Sequence, residues 1–298
     1  MWVRNFVDYL RYEKNYSQCT IEAYQADLEA FERFYRRLDE ELTWETLDKD
    51  VIRQWLVSLM DNGAVPSSAS RRLSSVKSFY RFLMLRKYIG KNPSYAIAPP
   101  KKSQTLPVFL RDSEMDLLFD RVQFPAGYVG KRDYLILLVF YSTGIRVSEL
   151  VRLNMSDVDF SIGQLKVLGK RNKQRLVPFG DELRFKVIEY VRMLSMSFPE
   201  LVSGDSPLFV DEKTKTRMKV SKVQHVVRKY LSMVTTQKKR SPHVLRHTFA
   251  TSMLNHHADL QSVKELLGHE SLSTTEVYTH TTFEELKEAY NLAHPRAK

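Results

Sequence analysis

Residues 241–250 read Ser-Pro-His-Val-Leu-Arg-His-Thr-Phe-Ala. A serine followed by a proline is a helix start: the serine suits the N-cap, and the fixed φ of proline suits the first turn. Val244, Leu245, Phe249 and Met253 then recur at helical spacing, so the stretch predicts an amphipathic helix. His243 and Arg246 are three residues apart and project from one face near its N-terminus. Unpaired N–H groups and the positive end of the helix dipole make that end a site for phosphate. Taken alone, the pair reads equally as a surface contact, and His247 reads as a packed core histidine.

Working outward, the pattern stays helical with one β insertion. Residues 113–122, 132–142, 181–196 and 221–234 carry helical periodicity. Gln164-Leu-Lys-Val-Leu168 and Arg175-Leu-Val177 flank Gly169-Lys-Arg-Asn172, which predicts a β-hairpin with a basic turn. Arg146 follows a glycine turn in Thr143-Gly-Ile-Arg-Val-Ser-Glu-Leu150. Downstream, Gly268 closes one helix, and Ser273-Thr-Thr-Glu276 is a capping box that puts Tyr278 in the second turn of the next.

The first ninety residues read as all-helical. Ile21, Tyr24, Leu28, Phe31, Phe34 or Tyr35, and Leu38 repeat at three-to-four spacing after a polar start at Ser17. Val51, Trp55 and Leu59 mark a second helix that ends at Asn62-Gly63. A third, over 67–87, turns Leu73, Val76, Phe79 or Tyr80, and Leu83 inward and its arginines outward. Pro93, Pro99, Pro100 and Pro107 then mark an extended linker. The chain thus reads as a helical domain over 1–91, a linker over 92–110 and a mainly α domain with a small β-hairpin over 111–298.

Charge sharpens the reading. The 298 residues carry a formal net charge of +11, which favours a polyanionic partner. Residues 62–111 and 213–258 contain no acidic residue and hold 21 of the 46 lysines and arginines, leaving a net charge of −10 elsewhere. Two such segments fit a surface that tracks phosphates better than two solvated basic faces. Arg71, Arg72, Lys77, Lys101 and Lys102 in the first, and Lys238, Lys239 and Arg240 in the second, are the candidates for contact with such a polyanion, be it DNA, RNA or an acidic lipid surface. The single cysteine, Cys19, fits a reducing compartment. Without an apolar signal core or a run able to span a bilayer, a cytoplasmic protein is expected.

A metal centre is weighed because His243, His247, His256, His257, His269 and His280 crowd the last third. His243 and His247 have the spacing of a helical zinc pair, yet Val244 stands where a zinc protease carries glutamate. No metal or other cofactor is expected.

None of these sites decides the matter singly; in order they do. The blocks 143–150, Gly169-Lys-Arg-Asn-Lys173, 241–250 and Leu266-Leu-Gly-His-Glu-Ser-Leu-Ser-Thr-Thr-Glu-Val-Tyr-Thr-His280 resemble those of the Xer-type tyrosine recombinases of the phage integrase family, over essentially the whole length. The resemblance implies a helical core-binding domain and a catalytic domain forming a C-shaped clamp on DNA. It implies that Arg146, Lys170, His243, Arg246 and His269 surround the scissile phosphate and that Tyr278 is the nucleophile. Its expected product is a 3′-phosphotyrosine link, formed without metal or ATP. His243 is then the candidate base, Lys170 the candidate acid for the 5′-oxygen, and Glu149 a supporting residue.

The resemblance further implies a tetramer on a duplex recombination site, formed with copies of itself or a related recombinase, and a DNA translocase of the division septum as a partner. A C-terminal stripe of Leu286, Ala289, Tyr290 and Ala293 is expected either to dock on a neighbouring subunit or to pack within its own chain. Resolution of chromosome dimers is the preferred role, with integration or inversion by a mobile element as the alternative. A type IB topoisomerase-like relaxer, a metal nuclease and a non-catalytic DNA-binding regulator are the competing readings.

Overall fold

Aromatic and aliphatic side chains at helical spacing build the first of two units. The computed structural model describes residues 1–101, 107–169, 173–201, 203–268 and 282–297, and the chain divides into Met1–Thr105 and Leu106–Lys298. The first unit contains α1 (Trp2–Asp8), prolonged by a π-helical turn over Tyr9–Glu13, then α2 (Gln18–Leu38), α3 (Lys49–Asp61) and α4 (Pro66–Leu85). Ser17 caps α2 by accepting from the Thr20 N–H, and Pro66 opens α4.

Phe6, Phe31, Tyr35, Trp44, Trp55, Phe79, Tyr80 and Phe82 fill the core of this unit. Several meet edge to face, as Trp44 and Phe79 do at 4.6 Å between centroids; each such pair adds about 0.5–1.5 kcal/mol beyond burial. Both Phe79 and Tyr80 are buried, and Tyr80 keeps its hydroxyl satisfied on the Trp44 carbonyl at 3.2 Å. Leu38, expected inside, is exposed because α2 ends there and the chain turns away. In the proline-marked segment Ile97 joins this core.

The second unit starts where Leu110 is buried and its N–H donates to Thr248 Oγ1. Its elements are α5 (Asp112–Asp116) with a π-helical turn over Leu117–Arg121, α6 (Tyr128–Thr143), α7 (Val147–Arg152), β1 (Val158–Asp159), β2 (Gln164–Leu168), β3 (Gln174–Pro178), α8 (Asp181–Ser197), α9 (Val220–Val234), α10 (Pro242–Asn255), α11 (Leu260–Leu267) and α12 (Phe283–Ala293). The expected hairpin is there as β2 and β3, and β1 adds a third antiparallel strand, in the order β1-β2-β3. The fold is therefore mainly α with one small sheet.

Helix α6 is buried almost all round, from Leu135 through Tyr141. At roughly 1.5–3 kcal/mol per buried large side chain it is the spine of the unit. It ends at Gly144, in the left-handed region at φ +60°. A Cβ there would lie 2.5 Å from Phe249 Cδ1 and 2.8 Å from Leu267 Cδ2, so glycine serves both the turn and the close approach of α10 and α11.

The C-terminal stripe packs within its own chain: Tyr290 and Ala293 are buried with Phe249, Met253 and Leu266. His294 lies beneath it, stacked on Tyr290 at 5.0 Å. Among the described residues no helix is long and apolar enough to cross a membrane.

Candidate active site

The turn at Gly144 delivers Arg146 to the N-cap of α7. Its backbone N–H donates to Glu149 Oε2 at 2.7 Å, and its guanidinium Nη1 donates to Glu149 Oε1 at 2.9 Å. One carboxylate therefore caps the helix and grips the arginine. Arg146 Nη2 reaches across to the Gly268 carbonyl at 3.2 Å, which ties α7 to the end of α11.

Helix α10 starts as expected, with Ser241 at the N-cap and Pro242 in the first turn, although the Ser241 hydroxyl makes no capping bond. Its face splits. His243 is exposed, whereas Arg246 is only 7% exposed. Arg246 Nη1 donates to the Gly144 carbonyl and Nη2 to the Leu267 carbonyl, both at 2.6 Å. The guanidinium is thus held at the junction of α6, α10 and α11. Burial and the neighbouring Arg146 charge push its pKa down to about 10, against the pull of Glu149. It stays a cation at neutral pH, in a place that disfavours cations.

His247 is exposed, not packed in the core as its sequence context suggests. The buried residues of this stretch are Val244, Leu245, Arg246, Thr248 and Phe249, so His247 falls just off the apolar face. Its pKa is lowered by partial burial and by the adjoining His243 and Arg246 charges, so it is neutral at pH 7.

The structure adds a residue that the sequence reading passed over. Arg175 of β3 donates from Nη1 and Nη2 to the two Glu149 oxygens at 2.8 and 2.9 Å, and from Nε to the Leu266 carbonyl at 3.1 Å. Burial alone would raise the Glu149 pKa, but the hydrogen bonds and charge of Arg175, followed by those of Arg146, hold it below the usual carboxylate range. A signal existed: Arg175 shares a strand face with buried Val177, while Leu176 between them is exposed. An arginine in the inward register of a short strand asks for a buried partner.

Two guanidinium groups thus close on one carboxylate, and a third, that of Arg246, lies within its electrostatic reach. The local excess of positive charge, in partly desolvated surroundings, suits a phosphate. Lys170, His269 and Tyr278 lie outside the described residues, as does Lys102. The described approaches to Lys170 are the Leu168↔Gln174 pair and the Gly169 N–H donating to the Lys173 carbonyl at 2.7 Å.

The DNA-binding candidates separate, among the described residues, into charges tied to acidic partners and charges that are exposed. Arg71 is bidentate on buried Asp27, at 2.6 and 2.7 Å, and Arg72 lies 3.9 Å from the same carboxylate. Lys77 is half-buried, while Lys101, Lys238 and Lys239 are exposed. Arg240 is half-buried, and its Nε is buried without a hydrogen-bond partner among the described residues. In the second acid-free stretch Lys222 pairs with Asp211 and Lys215 with Glu200. Arg217 is spent on the Val151 and Leu153 carbonyls and Asn154.

Comparison with known proteins agrees with this architecture. The family model described as the phage integrase family matches residues 109–285, and that of the phage integrase N-terminal SAM-like domain matches 3–87. The tyrosine recombinase XerC of Oceanobacillus iheyensis is 39% identical over 297 residues, all of this chain and 97% of that one. Among solved structures, a lambda integrase(75-356) dimer bound to a COC' core site superposes with a TM-score of 0.70 at 17% identity, covering 91% of each chain. XerH site-specific recombinase bound to its difH substrate gives 0.68 at 23% identity, over 96% of this chain and 82% of that one. These structural likenesses establish the shared fold. With a family model on each unit and a full-length relative at 39% identity, the chain belongs to the phage integrase family and is a site-specific tyrosine recombinase.

Proposed function

We propose that the Arg146–Arg246 pocket holds the scissile phosphate of a duplex recombination site and that Tyr278 attacks it. The observation that carries this reading is Arg246, a buried guanidinium beside a second one, with its Nη groups pinned on two backbone carbonyls. In-line attack forms a bond from the tyrosine oxygen to phosphorus and breaks the bond to the 5′-oxygen. Negative charge grows on the non-bridging oxygens, where fixed guanidinium groups stabilise it more than they stabilise the ground state. His243, exposed one turn before Arg246, takes the phenolic proton. Lys170, between β2 and β3 in sequence, protonates the departing 5′-oxygen, and His269 hydrogen-bonds the phosphate. The charge that a divalent cation supplies at other phosphoryl-transfer sites is here guanidinium charge.

The 3′-phosphotyrosine ester conserves the energy of the phosphodiester, so a 5′-hydroxyl from another strand reverses the step without ATP. Exchange between two duplexes requires four strand cleavages, hence four active subunits, either copies of this chain or a mixture with a related recombinase. Lys77, Lys101, Lys238, Lys239 and Arg240 contact the DNA backbone, with Arg71 and Arg72 presented from the edge of α4. The role we favour is resolution of chromosome dimers in the cytoplasm, with a septal DNA translocase as activator. It is supported by the full-length likeness to chains named XerC.

The test uses a site selected by the protein itself from a random-sequence duplex pool, built into a nicked suicide substrate. Wild-type protein forms a covalent adduct in excess chelator, Tyr278→Phe forms none while still binding, and peptide mapping finds the DNA on Tyr278. An adduct on another residue, or one that needs a divalent metal, overturns the reading. Recombinant products from two such duplexes distinguish strand exchange from relaxation of supercoils.

A further inference from the structure

We propose that Arg175 is a positioning residue for cleavage, holding Glu149 so that Glu149 in turn fixes the Arg146 guanidinium against the phosphate. The inference rests on the proposed placement of the phosphate at Arg146 and Arg246. It follows from a chain of contacts that no other described residue spans. Arg175 stands on β3, its fork closes on both Glu149 oxygens, and its Nε holds the Leu266 carbonyl. Glu149 carries Arg146 through a second pair of bonds, to its backbone N–H and its guanidinium. Arg146 and Arg246 then grip the carbonyls of Gly268 and Leu267. Arg175 also lies along Gly268, where a Cβ would meet its Cδ and Nε at 3.2 Å. One side chain therefore joins the strand that follows Lys170 in sequence, the carboxylate that orients Arg146, and the end of the helix that precedes His269 and Tyr278.

Chemistry favours this role over contact with substrate. All three nitrogens of the Arg175 guanidinium are engaged by protein acceptors, and its side chain is only 16% exposed, against 37% for Arg146. Planarity allows the bidentate grip, which lysine cannot reproduce. Buried carboxylates without such partners protonate, and a protonated Glu149 would accept poorly from Arg146. The charged groups that face Glu149 among the described residues are Arg146 from α7, Arg175 from β3 and Arg246 from α10. Removing Arg175 lets burial raise the Glu149 pKa, so Glu149 is increasingly protonated, and Arg146 released, as the pH falls.

The experiment compares wild type with Arg175→Gln, Arg175→Lys, Glu149→Gln and the double variant Arg175→Gln/Glu149→Gln. Adduct formation on the nicked duplex is followed from pH 5 to 8, with a thermal melt of each protein. The Glu149 carboxyl is titrated in parallel by carbon NMR, without DNA. We expect Arg175→Gln to cut about 10- to 100-fold more slowly at neutral pH, the effect of a misplaced reacting group. The acidic limb of its profile and the Glu149 midpoint should both move to higher pH. Arg175→Lys should restore the profile but only part of the rate, and Arg175→Gln should add little once Glu149 is glutamine.

An Arg175→Gln protein with the wild-type rate and profile overturns the inference. So does one whose rate falls only in step with its melting temperature, with the profile unmoved. If the glutamine variant does not fold, Arg175→Lys decides: an undiminished rate contradicts the assignment. Wild-type protein that forms no adduct defeats the phosphate reading instead, and the NMR midpoint then still reports whether Arg175 governs Glu149.

Discussion

Asp27 and Glu149 are both buried carboxylates that engage two arginines, one in each unit, and they differ in what surrounds the arginines. Asp27, 5% exposed, accepts a bidentate bond from Arg71 and one from Ser75 Oγ, yet half of the Arg71 side chain remains open to solvent. Glu149 sits under Arg146 and Arg175, with buried Arg246 close by and backbone carbonyls taking the remaining donors. The first cluster fixes charges on a surface, where water and salt screen them. The second concentrates positive charge around the buried Arg246, where screening is weaker, and under the proposed function it would act there on an arriving phosphate more strongly than a surface pair could. In the proposed function the same residue types thus build a surface grip in one unit and a reaction pocket in the other.

The most forceful way to break this contrast is to make the same change at both clusters. Arg246→Lys should slow adduct formation by roughly 100-fold or more, the usual effect of losing one preorganised donor, while DNA affinity stays within a few-fold. Arg71→Lys should weaken binding a few-fold and leave single-turnover cleavage of bound DNA unchanged. Equal losses of cleavage rate would erase the distinction between grip and pocket.

Acid offers a second way, because every histidine of the chain lies beyond residue 224. Among the described ones His294 is the most affected: burial pulls its pKa down to about 4. Its ring is held neutral, with Nδ1 accepting from the Arg296 N–H and Nε2 placed on the Tyr141 carbonyl. The unfolded chain takes up a proton near pH 6.5 and the folded one only near 4, so this contribution is complete above 6.5. It is lost as the pH falls toward 4, by at most about 3 kcal/mol. Calorimetry should show the second unit losing stability over that window before the first. His294→Gln should flatten the dependence; an unchanged slope would show that His294 is not its source.

The smallest effects separate free from spent cations within one acid-free stretch. Lys239→Ala should reduce the slope of log affinity against log salt by about one and leave the melting temperature alone. Arg217→Ala, which removes bonds to Val151, Leu153 and Asn154, should lower stability by about 1–3 kcal/mol and leave the slope alone. The reverse pattern would reassign the two residues.

That pair also marks how far the residues could be read directly. Helical spacing locates α2, α3, α4, α5, α8, α9 and α10, α6 shows as an apolar run buried almost all round, and Gly169 with its flanking strands shows the hairpin. The opening helix α1 was not foreseen, since its short run of Trp2, Phe6, Leu10 and polar neighbours needs α2 and α4 to complete its core. At the site, Arg146, Glu149, His243 and Arg246 stand out only through the resemblance that four blocks carry in order, none of them being decisive alone. Arg175 does not, because its meaning lies in Glu149, 26 positions away, and in a strand register that only pairing fixes. Net charge misled in a similar way: absence of nearby acids in sequence did not keep Asp27 from Arg71 or Asp211 from Lys222.

The central claim is that the arginine pocket neutralises charge developing on the scissile phosphate. It is tested most directly by replacing one non-bridging oxygen of that phosphate with a methyl group, which makes the linkage neutral. Rates of adduct formation are then measured for wild type and Arg246→Ala on both substrates. The account predicts that the variant's deficit of about 100-fold or more on the natural phosphate shrinks to a few-fold on the neutral one. A deficit of equal size on both substrates would contradict it, because Arg246 would then be acting through something other than charge.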